Sequence, residues 1–410
     1  MQFKSVFVAV FIGGSLLIAA LIVNSQRPAR ETSQPSSAHV KASGKCAECH
    51  RHETSAVVHQ FERSRHAAVG ITCLDCHQPR GEQKKTEHHG FMLSAELTSL
   101  NCKACHATEY EQFNRSRHAL PAYAAVNGPA DASPEQIAQG EKYHPGTCTR
   151  APNGLANLEG AGAKTKGCLV CHNIGRPNSD GSIGTCTHCH SRHNASVAVA
   201  RLPSTCGQCH MGPDHSQLEI YSESKHGILF EAQRDTMNLA APPKSLTTAD
   251  MPVPTCATCH LSGLDGGRVT HDTTERLSWW LFAPVSKKRP TYQQGQDAMK
   301  EVCKKCHAGP GIETFFQDAE VVVASTNEKV AEVQTLMKEL RAANLLTPQP
   351  FDEPIEFLDF DHWHYYGRTA KHGAFMGGAD FVQWHGNYEL LKVKVEIEHL
   401  AAELKARGAK

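Results

Sequence analysis

Sixteen of the seventeen cysteines fall into eight copies of one pattern, Cys-x-x-Cys-His. The copies are Cys46/Cys49/His50, Cys73/Cys76/His77, Cys102/Cys105/His106, Cys168/Cys171/His172, Cys186/Cys189/His190, Cys206/Cys209/His210, Cys256/Cys259/His260 and Cys303/Cys306/His307. A cysteine pair followed directly by histidine reads as c-type haem attachment. Two thiols form thioethers with the haem vinyl groups, and the adjacent imidazole is held where it can ligate iron. Zinc knuckles need no histidine after every second cysteine, and a disulfide scaffold gives irregular spacings with no fixed histidine. The pattern therefore predicts eight haems c. The protein would supply binding and tuning, and the cofactor the redox chemistry. Cys148 belongs to no motif; a free thiol could modify a haem, ligate it or pair with another chain, and a structural role is the preferred reading.

The remaining histidines bear on the second axial position. Of 26 histidines, eight sit in the motifs, which leaves 18. A short repeat runs Phe61-x-x-Ser64-Arg65-His66-Ala67, again Phe113-x-x-Ser116-Arg117-His118-Ala119, and more loosely Tyr221-x-x-Ser224-Lys225-His226-Gly227, with an echo at Ala370-Lys371-His372-Gly373. A recurrent histidine after a basic residue reads as a distal ligand, against the alternative of a surface histidine in a helix cap. His89, His193, His271 and His385 are further candidates. The expected ligand set is thus the eight motif histidines with His66, His118, His193, His226, His271 and His372. Mostly bis-histidine coordination implies low-potential haems, because methionine, which raises the potential, shows no matching pattern. If every iron has two protein ligands the chain is an electron wire; an enzyme needs one open position.

The elements that must position these residues follow from length. With about 50 residues per haem, no conventional core can form, so the porphyrin faces become the core. The expected fold class is mainly α, with short helices and loops wrapped around haems, little β, and long C-terminal helices. Residues 45–310 are expected to form the octahaem-binding domain, with three haems crowded together between Cys168 and Cys206. Residues 311–410 are expected to complete the haem core and supply an oligomer contact. Apolar periodicity predicts one helix from Thr314 to Leu346, with Val321, Val322, Val330, Val333, Leu336, Met337 and Leu340 in its stripe, and another from Tyr388 to Arg407.

At the other end, Lys4 precedes an apolar run from Ser5 to Val23, about long enough to span a bilayer. No clear small-x-small cleavage site follows, so residues 1–25 read as an uncleaved membrane anchor rather than a cleaved signal peptide. Residues 26–44, rich in Ser, Pro, Ala and Gln, read as a flexible linker. The expected location is periplasmic or otherwise extracytoplasmic. Lysine plus arginine equals aspartate plus glutamate at 42 each, but two propionates per haem would make the holoprotein acidic. No basic run with interleaved aromatics suggests nucleic-acid binding.

The segment from Cys168 through Asn173-Ile174-Gly175-Arg176-Pro177 to Thr185-Cys186, then Cys206-Gly-Gln-Cys209-His210-Met211-Gly212-Pro213-Asp214-His215, resembles the octahaem hydroxylamine oxidoreductase (HAO) family. The motif count, the long gap before the fourth motif and Trp384-His385-Gly386-Asn387-Tyr388 agree with that resemblance, which spans residues 45–400. It implies that the haem at Cys168 and Cys171, with His172 as proximal ligand, is catalytic. It further implies that Asp214 and His215 form the distal pair and that Tyr292 is a distal tyrosine. Hydroxylamine or nitrite would bind iron through nitrogen, and His215 suits proton transfer near neutral pH; the alternative is that His215 ligates another haem. Oxidative members carry a tyrosine cross-link to the catalytic haem from a neighbouring subunit. Tyr365, Tyr366 and Tyr388 lie in the right region, with none assigned to it.

The chain's length and expected anchor favour the reductive direction, toward ammonia, with electrons from a redox partner cytochrome or a quinol-oxidising membrane protein. The resemblance also implies a homotrimer. The competing readings are a pure electron-transfer cytochrome and a tetrathionate-type octahaem reductase. The latter would replace one motif histidine by lysine, and all eight motifs here end in histidine.

Overall fold

The computed structural model describes residues 44–261 and 263–408. The expected anchor and nearly all of the expected linker lie outside the described residues. Among the described residues no helix is long and apolar enough to cross a membrane. The chain divides into two units, one ending at Ile71 and the other beginning at Thr72.

In the first unit, helices Gly44–Glu53, Ser55–Glu62 and Arg65–Ala68 follow one another. The first carries Cys46, Cys49 and His50, and Arg51 reaches across to pair with the buried Glu62. Ser64 ends one helix and starts the next, its hydroxyl accepting from the Ala67 amide at 3.1 Å.

The second unit is mainly α, as expected. Its strands are two short antiparallel hairpins among the described residues. In one, Lys85–His88 pairs with Phe91–Ser94; in the other, Trp279–Trp280 pairs with Lys287–Lys288. The attachment motifs form single helical turns, and the reason is local. Spacings of three and four residues place both cysteines and the histidine on one side of a turn. The His106, His190, His210 and His307 amides bond back to the carbonyls of Cys102, Cys186, Cys206 and Cys303 at 2.9–3.0 Å. Threonine ahead of the first cysteine helps to start these turns, as Thr72 and Thr255 do in capping boxes.

The motif at Cys102 is split by a helix end. Helix Ser99–Lys103 carries Cys102 but stops before Cys105, which lies in the turn that follows. The Cys105 amide still bonds the Cys102 carbonyl, at 3.1 Å, so the turn keeps its pitch past the end of the helix.

In the Phe/Tyr-x-x-Ser-basic-His-small repeat the serine ends a helix. In two copies it also caps the next, Ser224 accepting from the Gly227 amide at 3.2 Å just as Ser64 does from Ala67; in the copy around His118 the Ser116 hydroxyl accepts from the His118 amide at 3.2 Å instead. The small residue is required by crowding. A Cβ on Gly227 would lie 1.9 Å from the Tyr221 carbonyl oxygen, while Ala67 and Ala119 are each 1% exposed. The clip therefore fixes the direction of the histidine between them.

Both long C-terminal helices form, at Gly309–Ala342 and Glu389–Gly408. The first begins just after the last motif, earlier than periodicity suggested. Val330, Val333, Met337 and Leu340 face inward with Ile397 and Val393 of the second helix. Val321 does not join the stripe: it is 68% exposed, and Ala319 and Val323 take the inward positions. Between these helices the chain packs helix Pro354–Phe360, a π-helical stretch Asp361–Gly367 and helix Arg368–Met376.

This region offers a clean test of burial energetics. Burial, reinforced by Glu356, pushes the Asp359 carboxyl up to about 6, against Arg341 and a 2.6 Å hydrogen bond from Gln334. The folded protein thus holds a proton between about pH 4 and 6 that the unfolded chain releases, so this group's contribution to stability falls as pH rises through that window. Asp359→Asn keeps an acceptor for Gln334 and removes the charge. It is expected to raise stability by about 2–3 kcal/mol at pH 7.5 and to change it little near pH 4. Denaturant midpoints at the two pH values check this; an equal gain at both would exclude desolvation as the cause.

Candidate haem sites and a distal cluster

Two imidazoles on opposite sides of one metal ion, each with nitrogen about 2 Å from it, have ring centres about 6 Å apart. Four motif histidines meet a second histidine at this spacing. His77 and His193 lie 6.4 Å apart and stacked, and His190 and His271 6.3 Å apart and stacked. His118 and His210 lie at 5.9 Å, as do His226 and His307. Burial holds His118 down at about 3 and His260 at about 4, so both are neutral and free to donate a lone pair.

The thiols converge as well. Cys102 meets Cys186, Cys206 meets Cys256, and Cys171 meets Cys209. The motifs at Cys168 and Cys206 are therefore brought together, as their close spacing suggested. The motif thiols differ in how far they are covered, as Cys105 shows. It is exposed, as are Cys49, Cys76 and Cys306, whereas its motif partner Cys102 is half-buried. Cys102 packs toward Cys186, while Cys105 faces solvent and is felt only by the Cys76 thiol, electrostatically. Cover for Cys105 would have to come from a haem rather than from packed side chains.

Large apolar side chains stand exposed beside the motifs, among them Val170 at 57%, Met211 at 53% and Phe282 at 38%. The buried apolar clusters lie elsewhere, around Met251 and Leu246, around Met337 and Ile397, and around Leu120 and Ile183. Apolar surface without cover, flanked by paired imidazoles and free thiols, fits porphyrins as the missing core.

One place differs from the simple pairs. The His172 Nδ1–H donates to the Ala122 carbonyl at 2.6 Å, which directs Nε2 outward as a ligand nitrogen. Facing it edge-on, with ring centres 6.5 Å apart, is His215. Its Nδ1 bonds the Asp214 carboxylate at 2.6 Å. The Asp214 oxygen also lies 3.8 Å from His364 Nε2 and 3.9 Å from Arg368 Nη1. Arg368 donates to His364 Nε2 at 2.8 Å and, through Nε and Nη2, to the Phe282 carbonyl. The Phe282 ring covers His215 at 5.1 Å.

The loop that carries Asp214 turns at Gly212, whose φ is +80°. It is tied to helix Arg368–Met376 by Thr369, whose hydroxyl meets Ser216 and donates to the Pro213 carbonyl, both at 3.2 Å. Burial pushes the Asp214 carboxyl up, but the His215 hydrogen bond and the nearby Arg368 guanidinium hold it below the usual range. Burial and Arg368 drive His364 down to about 3, so it stays neutral and accepts from the guanidinium.

The structure brings Asp214, His215 and His172 together. Tyr292 keeps other company: its hydroxyl bonds Glu320, and its ring meets Trp279 at 6.2 Å and the Lys288 ammonium at 4.0 Å. His372 is buried, 4.8 Å from the Phe282 ring. His66 lies in the first unit, on helix Arg65–Ala68. His89 stands exposed in a hairpin turn, and His385 is exposed and paired with Asp380 at 3.0 Å. Sequence reading missed His364, Arg368 and Phe282. The signal open to it was the cluster Asp361-His362-Trp363-His364-Tyr365-Tyr366, with Arg368 one helical turn after His364.

Paired imidazoles, clustered thiols and uncovered apolar faces define a multihaem c-type cytochrome. The family described as "Seven times multi-haem cytochrome CxxCH" matches residues 68–354, a span holding seven of the eight motifs, and the chain belongs to it. A probable nitrite reductase-hydroxylamine oxidoreductase fusion protein of Kuenenia stuttgartiensis is 24% identical over 75% of this chain, which spans only 39% of that relative's length. Among solved structures, a hypothetical multiheme protein matches at TM-score 0.75 and 22% identity, covering 89% of this chain and 96% of that one. A reducing HAO-like protein complex of Kuenenia stuttgartiensis matches at 0.67 and 19%, covering 91% and 88%. At these identities the likeness is one of fold, and the fold is HAO-like.

Proposed function

We propose that the protein is an octahaem cytochrome c of the HAO type that converts hydroxylamine or nitrite at the haem ligated by His172, working reductively toward ammonia. The observation that carries this reading is the Asp214–His215 pair opposite His172, backed by His364 and Arg368. When bound, the haem would supply electrons and the iron to which substrate nitrogen binds. Asp214 fixes the His215 tautomer, with the proton on Nδ1 and the opposite nitrogen turned to the substrate position. His215 can then exchange protons with a nitrogen ligand, Arg368 holds the cluster's geometry, and Phe282 limits water. The reductive direction draws support from the reducing HAO-like neighbour and from an expected anchor suited to a quinol-oxidising or cytochrome partner.

The same reading places the protein outside the cytoplasm, held by residues 1–25, and as a homotrimer. Trp384, Tyr388, Leu391 and Val395 form an exposed stripe at helical spacing, at 46–58% exposure, suited to a subunit contact. A monomeric mass by light scattering in detergent would exclude the trimer.

A second reading has its own observation. The 6.5 Å between His172 and His215 is close to the spacing of the simple pairs, so His215 as axial ligand would make the protein an electron-transfer cytochrome. Single-turnover spectroscopy separates the two. Reoxidation of the dithionite-reduced holoprotein by hydroxylamine, with ammonia formed, is the expected result. Haem reduction from the oxidised state would reverse the direction. No reaction and no high-spin haem signal would leave the electron-transfer reading.

A further inference from the structure

Three arginines outside the distal cluster are drawn out of water without an ion pair. Arg289 is 8% exposed and its Nε is buried with no partner; the Arg150 Nε is likewise unpartnered. Arg117 and Arg289 both lie against the Trp280 ring, with guanidinium carbons 4.5 and 4.0 Å from its centre. Arg150 and Arg289 are close enough for their charges to act on Arg117. Arg268 and Arg341, by contrast, find carboxylates, Glu275 at 2.8 Å and Glu356 at 3.2 Å, and the buried Arg201 finds the Leu239 and Ala241 carbonyls. Among the described residues none of these three makes an ion pair, and Asp272 acts on Arg289 only from longer range. Beside them His144, 2% exposed, bonds the Arg115 carbonyl through Nε2 and is held neutral by burial. It offers no negative charge.

Clustered cations taken out of water are costly unless an anion joins them. Their position says which anion. Arg117 directly precedes His118, which faces His210. Arg150 donates to the Pro121 carbonyl at 3.0 Å, one residue from the carbonyl that orients His172. The cluster thus flanks two haem positions, and each haem carries two carboxylates.

We propose that Arg117, Arg150 and Arg289 form a cradle for propionates of the haems ligated by His172 and His210. The guanidinium fork matches a carboxylate in two parallel hydrogen bonds. The same positive charge favours the reduced over the oxidised haem, so the cradle sets potential as well as position. This inference rests on haem attachment alone and stands whether or not the protein is an enzyme. The shared chemistry is a planar oxyanion, and a free ion such as nitrite is the other possible source.

The test is spectroelectrochemical titration of purified holoprotein as wild type, Arg289→Gln, Arg289→Lys and Arg150→Gln. The expected result is a lower midpoint potential for one or two haems in the glutamine variants, a smaller shift in the lysine variant, and the remaining haems unchanged. Nitrite or inorganic phosphate added to the oxidised wild type should leave those potentials unmoved. Unchanged potentials in both glutamine variants would overturn the proposal. So would an anion-dependent shift in the wild type that Arg289→Gln abolishes, since a soluble anion would then fill the cradle. Should Arg289→Gln fail to load haem, Arg150→Gln and the wild-type anion titration decide the matter alone.

Discussion

Asp214→Asn is expected to lower turnover of hydroxylamine or nitrite by about 10²–10⁴-fold, the usual worth of positioned acid–base catalysis, with haem content unchanged. The isosteric amide can still accept from the His215 Nδ1–H, so the ring keeps its place. What disappears is the carboxylate charge beside the ring, 2.6 Å from Nδ1. Arg368 and His364, now facing a neutral amide, keep their mutual bond and the bond to the Phe282 carbonyl. The measurements are steady-state rates with a reduced donor, paired with a haemochrome assay. Undiminished turnover at full haem loading would remove Asp214 from the mechanism.

Gly184→Ala should have the largest effect on folding. Gly184 has φ +65°, and a Cβ there would lie 2.1 Å from the Ile174 carbonyl oxygen. Its carbonyl accepts from the Ser99 amide at 3.1 Å and from the Asn178 side chain at 3.0 Å. This turn therefore locks the segment between the motifs at Cys168 and Cys186 against the helix that holds Cys102. Left-handed strain and steric overlap together are expected to cost about 2–5 kcal/mol, much of the margin of a typical domain. Gly181 is the control. Its φ is +80° with nothing within 4 Å of a Cβ, so Gly181→Ala should cost only about 1–2 kcal/mol. Haem incorporation and thermal midpoints of the two variants check the difference.

The attachment sites were legible because their geometry is local: a spacing of three and four residues suffices to build each turn. How far each thiol is covered was not legible, because it depends on which distant segment packs there: Cys102 meets Cys186, while Cys105 of the same motif is exposed. The clip around His118 and His226 was legible for the same reason as the motifs: an aromatic, a helix-ending serine and a small residue recur within seven positions. Partner choice was not. That His77 faces His193 and His190 faces His271 depends on how distant turns pack, and neither distal residue lies in the repeat. Asp214 and His215 stood out only through family resemblance. Arg368 and His364 reach them because Thr369 ties a C-terminal helix to the Gly212 turn, a contact with no signature in either segment. Val321 shows the converse error: periodicity gave the helix, while the side it buries was set by neighbours that periodicity does not see.

The pairing of distant histidines also governs how the molecule can be made. Each histidine next to a cysteine pair is in place as soon as its own turn forms, but His77 must wait for His193, and His190 for His271, to be made and brought near. Contacts so far apart in the chain are slow to form. During maturation the nascent chain should therefore pass through states in which haems are already tethered yet bound to iron from one side only. Such half-ligated haems are open to reactive small molecules, which gives a chain of this kind reason to fold where attachment and completion are close in time.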